Sequence, residues 1–364
     1  MKTSELLNII NQHVPFSSAE NWDNVGLLIG DENQEITGIL TALDCTAEIV
    51  DEAIEKNINT IIAHHPLIFK GVTNINEGGY GTIIRRLISH NIQLIALHTN
   101  LDVYKKGVNA MLAQSLDVID TEILEPQSEN YFKVQVFIPE ENASEFKQKM
   151  SEAGFASEGN YKYCFFSSKG NGQFKPTEQA NPYIGKRNEI ETVTEVKIEF
   201  MIKSHQREKA EKYIQSLHPY ETPVYDFLPL TKRLDRGLGI IGKLSQQMTL
   251  KEFALKAKKN LNIPSVRFTG NPNTLVKNVA IIGGSGIGYE EYAKSKGADV
   301  FVTGDIKHHD ALDAEIENIN LLDINHYSEY VMKRGLKHLL EEWLEQPSFK
   351  INASKINTDP FNYL

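Results

Sequence analysis

The chain of 364 residues is long for a single domain and favours two domains or one domain with an insertion. Its formal net charge of −10 argues against binding to nucleic-acid phosphates as a main activity, because that requires basic patches. The two cysteines, Cys45 and Cys164, form no CxxC motif, which argues against a disulfide framework or a thiolate zinc site. No apolar stretch approaches membrane-spanning length, so we expect a soluble, cytoplasmic protein without a membrane partner.

The first third of the chain alternates between short apolar strands and amphipathic helices. The predicted strands are ITGILTALD, TIIAHHP and IQLIALHTNLD, and the helices between them are TAEIVDEAIEKN and YGTIIRRLISHN. Strands that alternate with helices of about ten residues indicate βαβ units and a parallel sheet.

Residues 128–230 follow a different pattern. The predicted elements, in chain order, are YFKVQVFIP, ENASEFKQKMSEAG, YKYCFFSSKG, TEVKIEFMIKS, HQREKAEKYIQSLH and TPVYDFLPL. This β-α-β-β-α-β order is the ferredoxin-like one, so we predict that residues 128–230 form an inserted α+β domain.

The strand–helix alternation returns after the insert. The predicted strands are VKNVAIIGGSG, ADVFVTGD and NLLDINH, and a long helix, YSEYVMKRGLKHLLEEWLE, follows them. We therefore predict an α/β core of two related βαβ-type halves, residues 1–127 and 231–364. The glycine turn Gly283–Gly286 lacks the Lys-Ser/Thr of a P-loop, so a tight strand-to-helix turn is the simpler interpretation, with backbone contact to an anion as the alternative.

Histidines and carboxylates collect at the predicted carboxyl ends of the strands, where parallel α/β sheets bind their ligands. These residues are Asp44, His64, His65, His98, Asp102, Asp305, His308, His309, His326 and Glu329. Histidine and carboxylate without cysteine form a ligand set that suits Zn²⁺, Fe²⁺ or Mn²⁺.

The adjacent histidines His64 and His65 suit two metal ions better than one, because neighbouring side chains on an extended segment diverge. Asp102 is the candidate for a carboxylate shared between them. His326 and Glu329, spaced i, i+3, would share one helical face and complete the two ligand shells. Two such ions can bind a bridging hydroxide that is nucleophilic at neutral pH.

Each of these residues also has a structural interpretation, because a single histidine is more often a surface or core residue than a ligand. His308 and His309 lie early in a predicted helix and are either surface residues or neighbours of the site. Asp23 and Asn24 are interpreted as turn caps, and Cys45 as a small buried residue without a paired base.

Several motifs in order resemble those of the dinuclear-metal family named after the NGG-interacting factor three, whose bacterial members are called GTP cyclohydrolase 1 type 2 homologues. The motifs are NWDNVGLLIGD, AHHPLIFKG, HTNLD, GGSG, TGDIKHHDALDA and DINHYSE. The resemblance covers nearly the whole chain. Residues 128–230 resemble the insert of the long bacterial form, which is similar to the PII and CutA-type ferredoxin-like folds.

The resemblance implies that two divalent metal ions are bound by His64, His65 and Asp102, with His326 and Glu329 closing the site. Short forms of the family often separate the last histidine and glutamate by four positions, which would place Asn325 at the histidine position, so His326 is assigned instead. The resemblance also implies a ring-shaped homohexamer of two trimers that encloses a cavity.

The activity that the family name implies is hydrolytic opening of the guanine imidazole ring of GTP by a metal-bound hydroxide. A nearby histidine would protonate the leaving ring nitrogen, and His98, His308 and His309 are the candidates. The alternative is a non-catalytic metal-binding ring protein whose PII-like insert senses a small ligand or gates the cavity. A nucleic-acid or transcription-associated partner is suggested by the family name alone, and the acidic charge speaks against it.

Overall fold

A computed structural model describes residues 1–345 and 347–364, which divide into two compact units. The first unit consists of Met1–Gln127 and Asp235–Leu364, and the second consists of Ser128–Leu234. In the described parts of the chain, no helix has the length and apolar character needed to cross a membrane.

The first part of the chain forms short buried strands that alternate with helices. The elements are α1 Thr3–His13, β1 Gly26–Ile29, β2 Gly38–Ala42, α2 Ala47–Glu55, β3 Thr60–Ala63, α3 Gly79–Ser89, β4 Gln93–Ala96, α4 Thr99–Asp102 and α5 Val108–Ser115. Every residue of β2, β3 and β4 is buried, which explains why these strands read as continuous apolar runs.

The next part of the chain contains the elements β5 Val118–Pro139, α6 Ala143–Glu152, β6 Phe166–Phe174, β7 Glu191–Lys203, α7 Arg207–Leu217 and β8 Val224–Thr249. The β-α-β-β-α-β order is the predicted one, and β7 pairs antiparallel with both β5 and β6. Strand β6 extends to Phe174, beyond the predicted strand YKYCFFSSKG, because Asn171–Phe174 pair in register with the start of β7. The core of the second unit, Ser128–Leu234, includes Val134, Val136, Phe146, Ile198, Phe200 and Ile214.

The last part of the chain completes the first unit. Its elements are α8 Leu250–Asn260, β9 Arg267–Phe268, β10 Leu275–Ile281, α9 Glu290–Ser295, β11 Val300–Thr303, α10 His308–Ile316, β12 Leu321–Asp323, α11 Met332–Trp343 and β13 Lys350–Ala353. Strands β10, β11 and β12 are parallel, as predicted, and β8 and β9 pair antiparallel at either side of them.

The other sheet of this unit has the order β1-β4-β3-β2-β13. Strands β13, β2, β3 and β4 are parallel, and β1 is antiparallel to β4. Thus the late strand β13 joins the sheet of the first half, a pairing that the sequence did not predict. One hydrophobic core includes side chains from both sheets and from the helices beside them, among them Leu6, Ile62, Ile95, Leu112, Phe253, Val279, Val302 and Leu336.

Candidate metal centre

The carboxyl end of β3 places His64 and His65. The backbone N–H groups of both residues donate to the carbonyl of Leu43, just beyond β2, at 3.1 and 2.9 Å. His64 is fully buried, whereas 24% of the His65 side chain is exposed. The predicted location at the end of a parallel strand therefore holds for both residues.

The carboxyl end of β4 places His98 and Asp102, but by a different local structure from the predicted continuous strand. The strand ends at Ala96, and His98 precedes the short helix α4, which ends at Asp102. Asp23 accounts for the difference, because its carboxylate accepts hydrogen bonds from the backbone N–H and the hydroxyl of Thr99 and so fixes the first turn of α4.

The second half contributes His326 and Glu329 from a 3-10 segment, His326–Val331, that follows β12. Asn325 has a left-handed backbone with φ of 63°, a conformation that asparagine tolerates better than most residues. Its N–H donates to the Asp323 carboxylate at 2.9 Å. This turn precedes the 3-10 segment that carries His326 and Glu329, so Asn325 has a geometric role.

The side chains of these residues converge from both halves. Glu329 Oε2 lies 3.3 Å from His65 Nε2, 3.4 Å from His326 Nε2 and 3.8 Å from His64 Nε2. His64 Nε2 also lies 3.6 Å from Asp102 Oδ1. Glu329 is therefore the carboxylate at the junction of the cluster.

Three groups of donor atoms, each within 4.8 Å of one another, are able to hold a metal ion. Two of them share Glu329, whereas Asp102 belongs to one of those two alone. The spacing suggested Asp102 as the carboxylate shared between His64 and His65, but in these groups Glu329 has the shared position. The groups are His65, His326 and Glu329; His64, Asp102 and Glu329; and His64, His65 and His98.

Each histidine of the cluster donates its Nδ1–H to a fixed acceptor. The pairs and their distances are His64 with the Leu97 carbonyl at 2.8 Å, His65 with Asp44 at 2.7 Å, His98 with Asp23 at 2.9 Å and His326 with Asp305 at 2.6 Å. Such partners set the tautomer and orientation of metal-binding histidines, because they leave the Nε2 lone pair as the available ligand.

The residues fit a cation. With Nδ1 protonated, the Nε2 atoms of His65 and His326 meet 3.3 Å apart as two acceptors, which requires a proton or a cation between them. The buried Nε2 of His64 has no hydrogen-bond partner among the residues that the structure describes. A buried polar atom without a partner is costly, and a metal ion would satisfy it.

The pKa values follow from burial and from these contacts. Burial lowers the pKa of His64 to about 3, so this ring is neutral. Burial also opposes charge on His65, but its hydrogen bonds with Asp44 and Glu329 outweigh that effect and raise the pKa of His65 to about 10. A proton on His65 thus occupies a place that a cation would take, and a bound cation would displace this proton.

The two carboxylates of the cluster, Asp102 and Glu329, also have pKa values that are shifted in opposite directions. Burial and the nearby charge of Glu329 raise the pKa of Asp102. Burial alone would raise the pKa of Glu329, but the hydrogen bond with His65 and the neighbouring histidines lower it to about 2. Asp23 is likewise desolvated, yet the hydrogen bonds from His98 and Thr99 hold its pKa well below the usual value.

The structure brings together six of the eight predicted site residues and leaves two outside. His308 and His309 begin helix α10, and both are exposed, with ring centroids 5.3 Å apart. Neither belongs to the donor groups found among the described residues. Asp305, which lies between β11 and α10 in a left-handed conformation with φ of 55°, is the residue of this segment that contacts His326.

The glycine turn packs against Glu329. A Cβ on Gly284 would lie 2.8 Å from Glu329 Oε1, and the φ of this residue is 60°. The N–H groups of Gly283 and Gly286 donate to Asn109 and Thr303, both at 2.8 Å. The absence of side chains in the turn therefore leaves room for Glu329. The N–H groups of Gly283 and Gly286 are already hydrogen-bonded within the protein.

Sequence reasoning missed the acceptors that orient the histidines. The sequence places Asp44 and Asp305 among the strand-end residues but assigns them no role, and it predicts only a turn cap for Asp23. Asp23 does cap the first turn of α4. The hydrogen bond that it also accepts from His98, 75 positions away, has no local sequence signal. Thr358, whose hydroxyl donates to Asp44, gave no signal either.

A cavity of about 680 Å³ opens beside the cluster. His65 and His326 line it together with their acceptors Asp44 and Asp305, and the segment from Thr358 to Tyr363 forms part of its wall. The cluster is thus accessible from this side to a ligand of small-molecule size.

The fold and the cluster define a class: a mixed α/β protein with histidine–carboxylate groups that are able to hold metal ions at the carboxyl ends of the parallel strands of two sheets. The family model described as Duf34/NIF3 (NGG1p interacting factor 3) matches residues 1–360. The chain belongs to this family, which confirms the resemblance drawn from the motifs.

Relatives and solved structures agree with this assignment. Proteins called "GTP cyclohydrolase 1 type 2 homolog" are 62% identical over 365 residues in Staphylococcus epidermidis and 60% identical over 366 in Staphylococcus aureus, with 100% of each chain covered. The crystal structure of Staphylococcus aureus protein SA1388 is 56% identical with a TM-score of 0.86, covering 100% of this chain and 99% of that one. A Bacillus cereus protein related to NIF3 is 40% identical with a TM-score of 0.73, over the same shares.

Proposed function

We propose that the protein is a metal-dependent hydrolase whose centre holds two divalent cations, Zn²⁺, Fe²⁺ or Mn²⁺. The observation that supports this proposal is the pair of donor groups that share Glu329. In the proposal, His65, His326 and Glu329 hold one cation, and His64, Asp102 and Glu329 hold the other. Imidazole and carboxylate ligands suit each of these metals.

Cations at such a centre supply Lewis acidity and lower the pKa of water, which makes a nucleophile available at neutral pH. The chain itself supplies proton transfer, and we assign this role to His98. Its Nδ1–H is committed to Asp23 at 2.9 Å, which leaves Nε2 as the atom that exchanges a proton with the substrate. Of the three predicted acids, His98 is the one whose ring lies in the cluster, 5.2 Å from the ring of His64.

The specific reaction that we propose is hydrolytic opening of the imidazole ring of GTP. Its support is the name of the curated relatives, together with the position of His98 in the cluster as the proton donor that this reaction requires. Water attacks C8 of guanine, His98 protonates the ring nitrogen that leaves, and hydrolysis of the resulting formamide releases C8 as formate.

Elemental analysis and a formate-release assay on the same metal-loaded preparation test the two parts of this proposal. We expect about two metal ions per chain and formate release from GTP. Glu329→Gln should lose both, because the two groups share this carboxylate. Glu317→Gln, a change of an exposed glutamate at the end of α10, is the matched control and should retain both.

The outcomes of these two assays test the metal centre and the hydrolase activity separately. Full metal content in Glu329→Gln would overturn the proposed centre. About two ions per chain without formate release from GTP or turnover of any purine nucleotide would overturn the hydrolase proposal and leave the metal centre in place.

A further inference from the structure

Two exposed aromatic side chains stand beside His98. Trp22 is 58% exposed and Phe69 is 45% exposed, and their ring centroids lie 5.7 Å apart. Each ring also meets the imidazole of His98 edge to face, with centroid distances of 6.1 Å for Trp22 and 6.5 Å for Phe69. The pair is therefore adjacent to a side chain of the cluster.

Polar contacts of the neighbouring residues hold this pair in place. Asp23, next to Trp22, accepts the Nδ1–H of His98 at 2.9 Å and the N–H of Thr99 at 3.0 Å. The side-chain amide of Asn24 donates to the carbonyl of Ile68, next to Phe69, at 2.6 Å. The two aromatic segments are thus tied to each other and to the cluster by hydrogen bonds rather than by burial of their rings.

The exposure of these rings is unfavourable unless something covers them. Burial of a large apolar side chain stabilises a protein, and Trp22, with 58% of its surface exposed, lacks much of that stabilisation. Exposed aromatic faces beside a reactive group are suited to stacking on a second planar ring, as aromatic side chains do on the bases of single-stranded nucleic acids.

The size and position of the pair favour a small planar ligand. Two side chains offer far less area than the roughly 800 Å² per partner of a stable protein interface. They also flank the residue to which we assign proton transfer, which is where the reacting ring of a substrate has to lie.

We propose that Trp22 and Phe69 form a stacking site for the planar heteroaromatic ring of the substrate and hold that ring against His98. This inference rests on the proposed function, since it places the ring beside the proposed proton donor. Its ligand is a heteroaromatic base with or without its phosphates, because the contact is made by the ring alone.

Tryptophan fluorescence tests the site directly, because Trp22 and Trp343 are the two tryptophans of the chain. In Trp343→Phe, the emission comes from Trp22, and guanosine and GTP should quench it in the metal-loaded protein. Ribose 5-phosphate and tripolyphosphate, which lack the ring, should not. The matched control is Trp22→Phe, whose emission comes from Trp343. This tryptophan ends α11 and stacks on His13 of α1, and its emission should not change.

Equilibrium dialysis of GTP against variants measures the contribution of the pair. Trp22→Ala and Phe69→Ala should each weaken binding roughly tenfold, and Trp22→Phe should retain most of the affinity because it keeps a ring. Tyr161→Ala removes a ring that is 76% exposed in the other unit, and it should leave binding unchanged.

The outcomes distinguish this site from the proposed function. Unchanged GTP affinity in Trp22→Ala, or quenching by the ring-free phosphates alone, would overturn the stacking site even if the protein releases formate from GTP. Ring-dependent quenching of Trp22 without any hydrolysis would support the stacking site and overturn the hydrolase proposal. A change in sedimentation of Trp22→Ala with unchanged GTP affinity would assign the pair to self-association and overturn the inference.

Discussion

The chain contains two pairs of adjacent histidines, and only one of them belongs to the cluster. His64 and His65 follow β3 directly, stay at the edge of the sheet and enter the cluster. His308 and His309 follow β11 after a left-handed turn, begin a helix and are exposed. The comparison shows that adjacency of histidines predicts little by itself; what decides is whether the backbone remains at the carboxyl end of the strand.

The largest expected effect is the loss of bound metal when the first histidine pair, but not the second, is replaced by alanine. The double variant His64→Ala, His65→Ala should bind less than half of the normal metal, because it removes a nitrogen ligand from each of the two groups that share Glu329. The double variant His308→Ala, His309→Ala should bind the full amount. Elemental analysis after gel filtration measures both, and equal losses would remove the distinction between the pairs.

A smaller effect is expected from changing one carboxylate beside each pair. Asp44→Asn weakens the hold on His65 Nδ1 and should lower metal affinity by about 10–100-fold. Asp310, which accepts the N–H of Lys307 at the start of α10, is the counterpart beside the other pair. Asp310→Asn should leave metal affinity unchanged in a competition titration with a chelator, and an equal loss there would argue for a general effect of lost carboxylates.

Metal binding should depend on pH because His65, in the first pair, has to release a proton. Since the pKa of metal-free His65 is raised to about 10, this ring is protonated at neutral pH and must lose its proton when a cation binds. The apparent affinity should therefore rise about tenfold per pH unit and level off as the pH approaches 10. Calorimetry in buffers of different ionisation enthalpy measures the released proton, and binding without proton release would contradict the expectation.

The smallest effect concerns stability. The double variant His308→Ala, His309→Ala should change the free energy of unfolding of the metal-free protein by no more than about 0.5 kcal/mol, because both side chains are exposed. Denaturant unfolding followed by circular dichroism measures this change. A loss of several kcal/mol would show that the second pair has a structural role that its exposure conceals.

The sequence predicted the residues of the cluster better than their arrangement. Continuous apolar runs that end in His64 and His65 mark buried parallel strands, and the spacing of His326 and Glu329 marks one face of a helical turn. These signals are local, so a single sequence carries them. The sharing of Glu329 between two groups depends on how closely the ends of the two sheets approach, which no spacing along the chain encodes.

The errors in the predicted fold have the same origin. The run IQLIALHTNLD reads as one strand, but Asp23 reaches the chain from 76 positions away and turns Thr99–Asp102 into a helix. Strand β13 has four residues, and its pairing with β2 joins segments separated by most of the sequence. Long-range contacts override weak local preferences in both places.

The separation of the ligands along the chain has a consequence for biosynthesis. His64, His65, His98 and Asp102 leave the ribosome early, whereas Glu329 is translated only after the whole second unit, Ser128–Leu234. At ordinary elongation rates that interval is on the order of ten seconds or more. Until Glu329 is translated, the proposed centre lacks the carboxylate that two of its three donor groups share, so these two groups are completed only late in synthesis.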